Sequence, residues 1–162
     1  MKQFVAVIGS QNSGKSTVIK SLTGCPSSTF RGFVQDFDTK RKIYVICSSP
    51  QEHELKPSDF RKFVKRCRED NFSQGLIMAI QPSRPTKRLA IEDIFAEISG
   101  CGVFKLNAFL LNPGQKTPTQ TTLEADIVSR LKQFSLKPTV LSGRRFSYVN
   151  ATIINRKTHI VK

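Results

Sequence analysis

The sequence lacks the closely spaced cysteine and histidine pairs that hold structural zinc. It contains four cysteines and two histidines in 162 residues, and no two cysteines form a C-x-x-C pair. The cysteines are Cys25, Cys47, Cys67 and Cys101. Their spacing argues against a zinc site. We therefore expect four reduced thiols in a cytoplasmic protein.

Long apolar runs are also absent. No stretch approaches the ~20 apolar residues that a membrane-spanning helix needs. Near the N-terminus, one lysine precedes a short apolar run at residues 4–8, and a glycine-containing turn follows at once. This pattern predicts a buried strand and no secretory signal peptide. With 38% hydrophobic and 23% charged residues, the composition is typical of one globular domain over residues 1–162.

Acidic residues are scarce. The chain has 26 Lys and Arg but only 12 Asp and Glu, so its formal net charge is +14. No acidic residue follows Asp126, whereas the later basic residues are Arg130, Lys132, Lys137, Arg144, Arg145, Arg156, Lys157 and Lys162. A field of this sign favours polyanions such as nucleic acid or an anionic membrane surface. A solvated basic surface is the alternative, because no base-reading motif accompanies the charge.

Strand-like and helix-like segments alternate along the chain, as in α/β folds. The pattern predicts strands at residues 4–8, 30–37, 42–48, 76–80, 104–111 and 146–154, and helices at residues 15–22, 58–69, 91–98 and about 121–134. The polar residues 38–41 predict a β-hairpin between the second and third strands. We expect a three-layer α/β/α domain with a mostly parallel sheet of about six strands and one antiparallel hairpin strand.

Residues 9–16 carry the most specific signal, the pattern G-x-x-x-x-G-K-[ST] between a predicted strand and a predicted helix. Gly9 allows a tight turn after the strand, and Gly14 lets the backbone approach a phosphate without a Cβ in the way. The amides of residues 12–16 and the positive end of the following helix can hold phosphate oxygens. The sequence therefore predicts a phosphate-binding loop.

The side chains of this loop have predicted roles as well. The Lys15 ammonium can reach the β- and γ-phosphates, and the Ser16 hydroxyl can ligate Mg²⁺. Thr17 is expected to lie against the α-phosphate. The predicted nucleotide-binding residues here are Gly9, Ser10, Gln11, Asn12, Ser13, Gly14, Lys15, Ser16 and Thr17. The expected ligands are ATP or GTP with Mg²⁺.

The loop and its flanks resemble the P-loop NTPase superfamily, in which this pattern is called the Walker A motif. Residues 12–17, followed by Leu22, Thr23 and Gly24, are similar to the start of GTPase domains related to translation factors. The predicted element order, with its hairpin after the first helix, is also similar to that class. In those domains a helix follows the final strand. Because few residues remain beyond the predicted last strand here, we expect that helix to be missing.

The resemblance implies roles for four further positions. The switch I residue that ligates Mg²⁺ falls on Thr29, with Ser28 as the alternative. The switch II pattern Asp-x-x-Gly is degenerate, since Cys47 stands in place of the acid and Pro50 in place of the glycine. Gln51 follows, where some GTPases carry the catalytic glutamine that orients water.

The guanine-reading pattern Asn-Lys-x-Asp is degenerate too. Asn112 matches it, whereas Pro113 and Gln115 do not. A neutral glutamine is a weaker partner for guanine than a carboxylate, which accepts two hydrogen bonds. The choice between adenine and guanine is therefore open, with Asn112 as the predicted base contact and a plain Pro-Gly turn as the alternative.

No predicted strand ends in the acidic residue with which NTPases hold the Mg²⁺ shell. The carboxylates that remain near the loops are Asp36, Asp38, Glu52 and Glu54, of which we expect Glu52 and Glu54 to be solvated loop residues. Asp36 and Asp38 also resemble the substrate-binding acids of small-molecule kinases such as shikimate kinase, with a hairpin turn as the alternative role. Positive charge for a transition state is available from Arg84, Arg88, Arg144 or Arg145.

Three functions stay open on the sequence alone. The first is a slow or partner-dependent NTP hydrolase or switch, in which Lys15 and Gln51 act on the phosphates. The second is a small-molecule or nucleotide kinase. The third is a basic, nucleic-acid-associated module that only binds an NTP. We take the first as the working hypothesis, because it accounts for the loop, the hairpin and the element order.

Overall fold

The computed structural model describes residues 1–82 and 89–161, so Arg84 and Arg88 lie outside the described residues. Within them, six strands form one sheet: β1 (Lys2–Ile8), β2 (Arg31–Gln35), β3 (Lys42–Ile46), β4 (Ser73–Ile80), β5 (Phe104–Leu111) and β6 (Thr139–Leu141). The helices are α1 (Lys15–Thr23), α2 (Pro57–Glu69), α3 (Ile91–Gly100), α4 (Leu123–Leu131) and α5 (Ser147–Thr158), and a 3₁₀ turn, Lys132–Phe134, extends α4. None of these helices has the length and apolar character needed to cross a membrane.

The strand order is β2-β3-β4-β1-β5-β6. Strand β1 pairs in parallel with β4 and β5, β3 pairs in parallel with β4, and β5 pairs in parallel with β6. Strand β2 is antiparallel to β3. The predicted mostly parallel sheet and its hairpin are therefore confirmed. At the hairpin tip, the Asp36 carboxylate accepts hydrogen bonds from the amides of Asp38 and Thr39, at 2.8 and 3.0 Å.

Two apolar cores cover the two faces of the sheet. Phe4, Ala6 and Ile8 of β1 belong to the core that α2, α3 and α4 cover, whereas Val5 and Val7 belong to the core that α1 and α5 cover. All five side chains are fully buried. A strand that is buried on both faces has a continuous apolar sequence, which explains why β1 could be predicted from the sequence. The three-layer α/β/α arrangement is thus confirmed.

The end of the chain differs from the prediction. The expectation of a strand at residues 146–154 is wrong, because α5 covers this segment and the last strand is the short β6. The buried residues of α5 are Asn150, Ala151, Ile154 and Thr158, which recur at helical spacing. The expectation that a last helix is missing is wrong for the same reason. Aromatic and β-branched residues favour a strand here, and packing against α1 overrides that preference.

The topology places several loops at one edge of the sheet. Strands β1, β3, β4 and β5 are parallel, so their carboxyl ends lie at the same edge. Strand β1 leads into α1 on one face, while its neighbours β4 and β5 lead into α3 and α4 on the other face. In open α/β sheets, ligands bind at such a reversal, outside the carboxyl ends of the strands.

Candidate functional site

The glycine-rich loop, residues 9–14, connects β1 to α1 at this reversal. The Gly9 amide donates to the Ile80 carbonyl at 3.1 Å, and the Ser13 amide donates to the Ser10 carbonyl at 3.2 Å. Gly14 has φ of 93°, in the left-handed region that favours glycine. A Cβ on Gly9 would overlap the Ser13 hydroxyl. Both glycines are therefore needed for the path that the loop takes.

The N-cap residue of α1 is Gly14, and within the described part of the chain no side-chain cap is seen at this helix end. The amide of Val18 donates to the Gly14 carbonyl at 3.0 Å, which is the first hydrogen bond of the helix. The amides of residues 15–17 consequently have no acceptor within the helix, and they point out of its positive end. This arrangement suits an anion in front of the helix.

Lys15 is a buried cation at the start of that helix, with 3% of its surface exposed. Its ammonium donates to the Ser10 carbonyl at 2.7 Å and lies 3.7 Å from a carboxylate oxygen of Glu52. Burial lowers the pKa of Lys15, and the negative charge of Glu52 partly opposes this effect. Water screens the charge of a buried ammonium less than that of a surface lysine, so an anion beside Lys15 would interact with it more strongly.

A cavity opens in front of the loop, and we call it the loop cavity. It is lined by Asn12, Ser13, Gly14, Lys15, Ser16, Thr17, Glu52, Gln115 and Lys116. Six of the predicted nucleotide-binding residues thus come together, while Gly9 and Ser10 form the loop behind them. Lys116 was not predicted from the sequence as a lining residue, and Gln115 was considered only as a mismatch to the guanine-reading pattern. Their place depends on how the loop after β5 folds back, which no local pattern encodes.

A second cavity, the side cavity, adjoins the first and shares Asn12, Ser16 and Glu52 with it. Its other lining residues are Gln11, Ser28, Ser48, Gln51, His53 and Gln81. Ser28 therefore faces the site from the segment where a switch I ligand was expected. Thr29 is exposed, and its hydroxyl lies 3.5 Å from that of Ser27. Of the two candidate Mg²⁺ ligands, Ser28 lines the side cavity together with Ser16, whereas Thr29 is not among the lining residues of either cavity.

The end of β3 lies directly against Ser16. The Ser16 hydroxyl donates to the Cys47 carbonyl at 3.0 Å, and the Cys47 thiol donates to the Ser16 carbonyl at 3.6 Å. Burial raises the pKa of Cys47 to about 12, so this thiol stays neutral at pH 7. Cys47, which the resemblance to GTPases places at the position of an acid, thus brings no negative charge to the site.

Ser48 has an unpaired hydroxyl beside the same cavity. The residue is 2% exposed, and its Oγ has no hydrogen-bond partner within residues 1–82 and 89–161. Buried polar atoms in proteins are nearly always hydrogen-bonded, to the protein itself or to a water, ion or ligand. Because Ser48 lines the side cavity, a polar group bound there can satisfy it.

Among the residues that the structure describes, Glu52 is the single acidic residue that lines either cavity. Asp36, considered as a kinase-like acid, lines a different cavity together with Thr23 and Ile160. The described part of the chain holds no group of three or more Cys, His, Asp and Glu able to bind a metal ion. A Mg²⁺ ion at this site would therefore take its oxygen ligands from Ser16, phosphates and water, with Glu52 and Ser48 close by.

Gln51 connects two segments of the main chain. Its Nε2 donates to the Leu89 carbonyl at 2.8 Å, and its Oε1 accepts from the Gln81 amide at 3.2 Å. With 8% of its surface exposed, the residue is buried at the wall of the side cavity. The predicted catalytic role of Gln51 requires the amide to leave these partners, and it stays a prediction.

Asn112 closes the loop that follows β5. Its Nδ2 donates to the Gln120 carbonyl, and its Oδ1 accepts from the Gln120 amide, each at 2.9 Å. Both ends of the side chain are thus engaged in fixing residues 113–119. The predicted contact of Asn112 with a nucleotide base stays a prediction.

The same loop supports the glycine-rich loop from the side. The Gln115 amide donates to the Ser13 carbonyl at 2.9 Å, and the Gly143 amide donates to the Pro113 carbonyl at 2.7 Å. A Cβ on Gly114 would come within 2.7 Å of the Ser13 Cα. The loops after β1, β5 and β6 therefore hold one another in place, and glycine is required where they approach most closely.

Comparison of the chain with protein-family models, with curated proteins and with solved structures gave no match. The functional assignment therefore depends on the chemistry of the loop and of the two cavities. The shared residues Asn12, Ser16 and Glu52 join those cavities into one candidate site.

Proposed function

We propose that this chain is a nucleoside-triphosphate-binding protein of the P-loop class. The observation that carries the proposal is the uncapped N-terminus of α1, which follows a loop with Gly14 in the left-handed region and has the buried Lys15 ammonium beside it. Free amides and a desolvated cation around one cavity suit the closely spaced charges of a polyphosphate. An uncharged or monoanionic small molecule would leave most of these groups unused.

The nucleotide would be ATP or GTP, bound with Mg²⁺. The Ser16 hydroxyl would turn from the Cys47 carbonyl, 3.0 Å away, to the metal ion. Phosphate oxygens and water would complete the coordination that Mg²⁺ prefers. The unpaired Ser48 hydroxyl and the Glu52 carboxylate could hold the water molecules of that shell.

We further propose that turnover is slow or depends on a partner. The Cys47 thiol, whose pKa burial raises to about 12, supplies no charge to the metal shell. Pro50 has no N–H to donate to a γ-phosphate. The amide of Gln51 is held by Leu89 and Gln81. Since catalysis of phosphoryl transfer depends on groups positioned in advance, we expect tighter binding than hydrolysis from this site.

Titration with fluorescent ATP and GTP analogues, with and without Mg²⁺, tests the proposal. Lys15→Ala should weaken binding by about tenfold or more, since a hydrogen bond to a charged group contributes ~1.5–3 kcal/mol. Lys20→Ala removes an exposed lysine from the same helix and should change little, which makes it the matched control. Failure of both nucleotides to bind the wild-type chain, or equal effects of the two substitutions, would overturn the proposal.

A further inference from the structure

We propose that the start of α5 and the loop before it bind single-stranded nucleic acid. The site consists of Arg144, Arg145, Phe146 and Tyr148, and we call it the aromatic–basic patch. Phe146 is 74% exposed and Tyr148 is 63% exposed. Their rings stack on one another, with centroids 5.7 Å apart and an angle of 13° between the planes. Two large parallel rings in solvent form an apolar surface onto which a flat aromatic ligand can stack.

The charge around these rings selects a polyanion as the partner. Arg144 and Arg145 are exposed, and neither forms an ion pair with a carboxylate of the described residues. The sequence after Asp126 contains eight Lys and Arg and no Asp or Glu. Aromatic platforms beside unpaired basic side chains are how proteins bind single strands, because bases stack on the rings and phosphates meet the charges.

The backbone that carries the patch is fixed by neighbouring segments. The Asn150 side chain donates to the Ser142 carbonyl at 2.9 Å, and the Gly143 amide donates to Pro113 at 2.7 Å. The hydroxyls of Ser147 and Ser21 lie 2.7 Å apart, which ties α5 to α1. A ligand therefore has little backbone to order when it binds, and this lowers the entropic cost of binding.

A duplex fits this surface less well than a single strand. In a double helix the base faces are stacked on one another, so only unpaired bases can stack on protein rings. The tip of the β2–β3 hairpin offers an internal comparison. It carries the 95% exposed Phe37 with Lys40 and Arg41, but Asp36 and Asp38 flank the ring on both sides and a second ring is absent from residues 36–41.

The test is a fluorescence anisotropy titration of the full chain with labelled oligothymidylate and oligouridylate of about 20 nucleotides, longer than the roughly 4–16 nucleotides that one small domain covers. We expect binding that weakens steeply between about 50 and 200 mM salt. Phe146→Ala combined with Tyr148→Ala should weaken it by about tenfold or more, since stacking contributes strongly per base. Phe146→Trp should retain binding. Arg144→Ala with Arg145→Ala should reduce the salt slope by about 1.4, at ~0.7 per phosphate contact.

A matched control comes from the hairpin. Phe37→Ala with Lys40→Ala and Arg41→Ala removes one exposed ring and two charges, and it should leave oligonucleotide affinity within about twofold, because these residues lie outside the patch. Unchanged circular dichroism and melting temperature would show that the variants fold. Binding of ATP and GTP analogues should be unaffected by Phe146→Ala with Tyr148→Ala, which separates this proposal from the proposed NTP site.

Several outcomes would overturn the inference. One is no oligonucleotide binding by the wild type at about 50 mM salt. Another is equal affinity for a duplex of the same length, which would indicate binding by charge alone. An equal loss in the hairpin variant would have the same meaning. A parallel loss of ATP or GTP binding in the Phe146/Tyr148 variant would assign the rings to the nucleotide base, and binding of a protein in place of the oligonucleotide would assign them to a protein interface.

Discussion

Two loops at the same edge of the sheet differ in what they contribute to the candidate site. The glycine-rich loop after β1 presents backbone amides and Lys15, all in an arrangement that suits phosphate. The loop after β3 lies beside it through the contact between Ser16 and Cys47, at 3.0 Å, yet it carries a neutral thiol and a proline at the positions where the resemblance to GTPases would place an acid and a glycine. Under the proposed function, the first loop would bind phosphate through its backbone, and the second would lack the side chains that activate it.

This comparison explains why binding and turnover should be separable in this protein. Under the proposed function, phosphate binding would depend on main-chain amides whose positions are set by Gly9, Gly14 and Gly114. Turnover would depend on individual side chains, and those that line the side cavity include Ser48, Gln51 and Glu52. Substitutions in the separate loops can therefore distinguish the two properties.

The largest effect is expected from Gly9→Ala. The added Cβ would overlap the Ser13 hydroxyl and lie 2.9 Å from the Ser13 Cβ. Overpacking of this kind costs about 1–3 kcal/mol, and the loop path changes with it. We expect a lower melting temperature and loss of most nucleotide affinity. Gly100→Ala is the control, because a Cβ there meets nothing within 4 Å, and stability should be kept or raised. Full nucleotide affinity in Gly9→Ala would contradict the role given to the loop.

Nucleotide affinity should fall at alkaline pH. Burial lowers the pKa of Lys15 below 10.5, and phosphates bind its protonated form. Affinity should therefore be constant below the lowered pKa and fall as pH rises through it, by up to about tenfold per pH unit. Between the lowered pKa of Lys15 in the folded chain and the pKa of an unfolded lysine, the unfolded state of the nucleotide-free chain binds more protons than the folded state. The free energy of unfolding should therefore rise with pH in this range. Nucleotide titrations from about pH 8 to 10 with wild type and Lys15→Ala check the first expectation, and the affinity should fall with pH only in the wild type.

Asn112→Ala tests the support that the glycine-rich loop receives from its neighbour. The substitution removes two hydrogen bonds of 2.9 Å to Gln120. We expect a loss of about 1–2 kcal/mol in the free energy of unfolding, with a smaller loss in nucleotide affinity. Thr119→Ala, an exposed position in the same loop, is the control. A severe loss of binding for one base alone, with stability unchanged, would instead show that Asn112 contacts the base.

Glu52→Gln gives the smallest and most specific effect. Lys15 loses its ion-pair partner at 3.7 Å, so binding of a nucleotide without Mg²⁺ should tighten by up to about fivefold. The gain in affinity that Mg²⁺ brings should shrink, because a carboxylate beside the metal shell is gone. Glu54→Gln makes the same change of charge two residues away and should do neither. Identical behaviour of the two variants would remove Glu52 from the site.

The central part of the fold could be predicted from the sequence because its strands are buried on both faces. The apolar runs of β1 and β5 and the loop pattern at residues 9–16 are local signals, and the structure confirms a three-layer sheet built around β1. The glycine positions of the loop were also predictable, since each has a steric reason within a few residues. The end of the chain was not, because β6 has three residues and α5 is rich in residues that favour strands.

The composition of the candidate site was only partly predictable. Glu52 was one of four acids considered, and distance along the chain could not separate it from Asp36. Lys116 lines the loop cavity because the loop after β5 folds back onto Ser13, a contact between distant segments. Ser28 lines the side cavity and its neighbour Thr29 does not, a difference between adjacent residues of one loop that no sequence pattern encodes.

Under the proposed function, main-chain amides at the start of α1 bind the phosphates of a nucleotide. An amide NMR titration of the ¹⁵N-labelled chain with ATP or GTP and Mg²⁺ observes these amides themselves. We expect large shifts at residues 14–17, which precede the first helical hydrogen bond at Val18, and none at the hairpin residues 36–41. Shifts at the hairpin or at the aromatic–basic patch, with residues 14–17 unchanged, would contradict the proposed function.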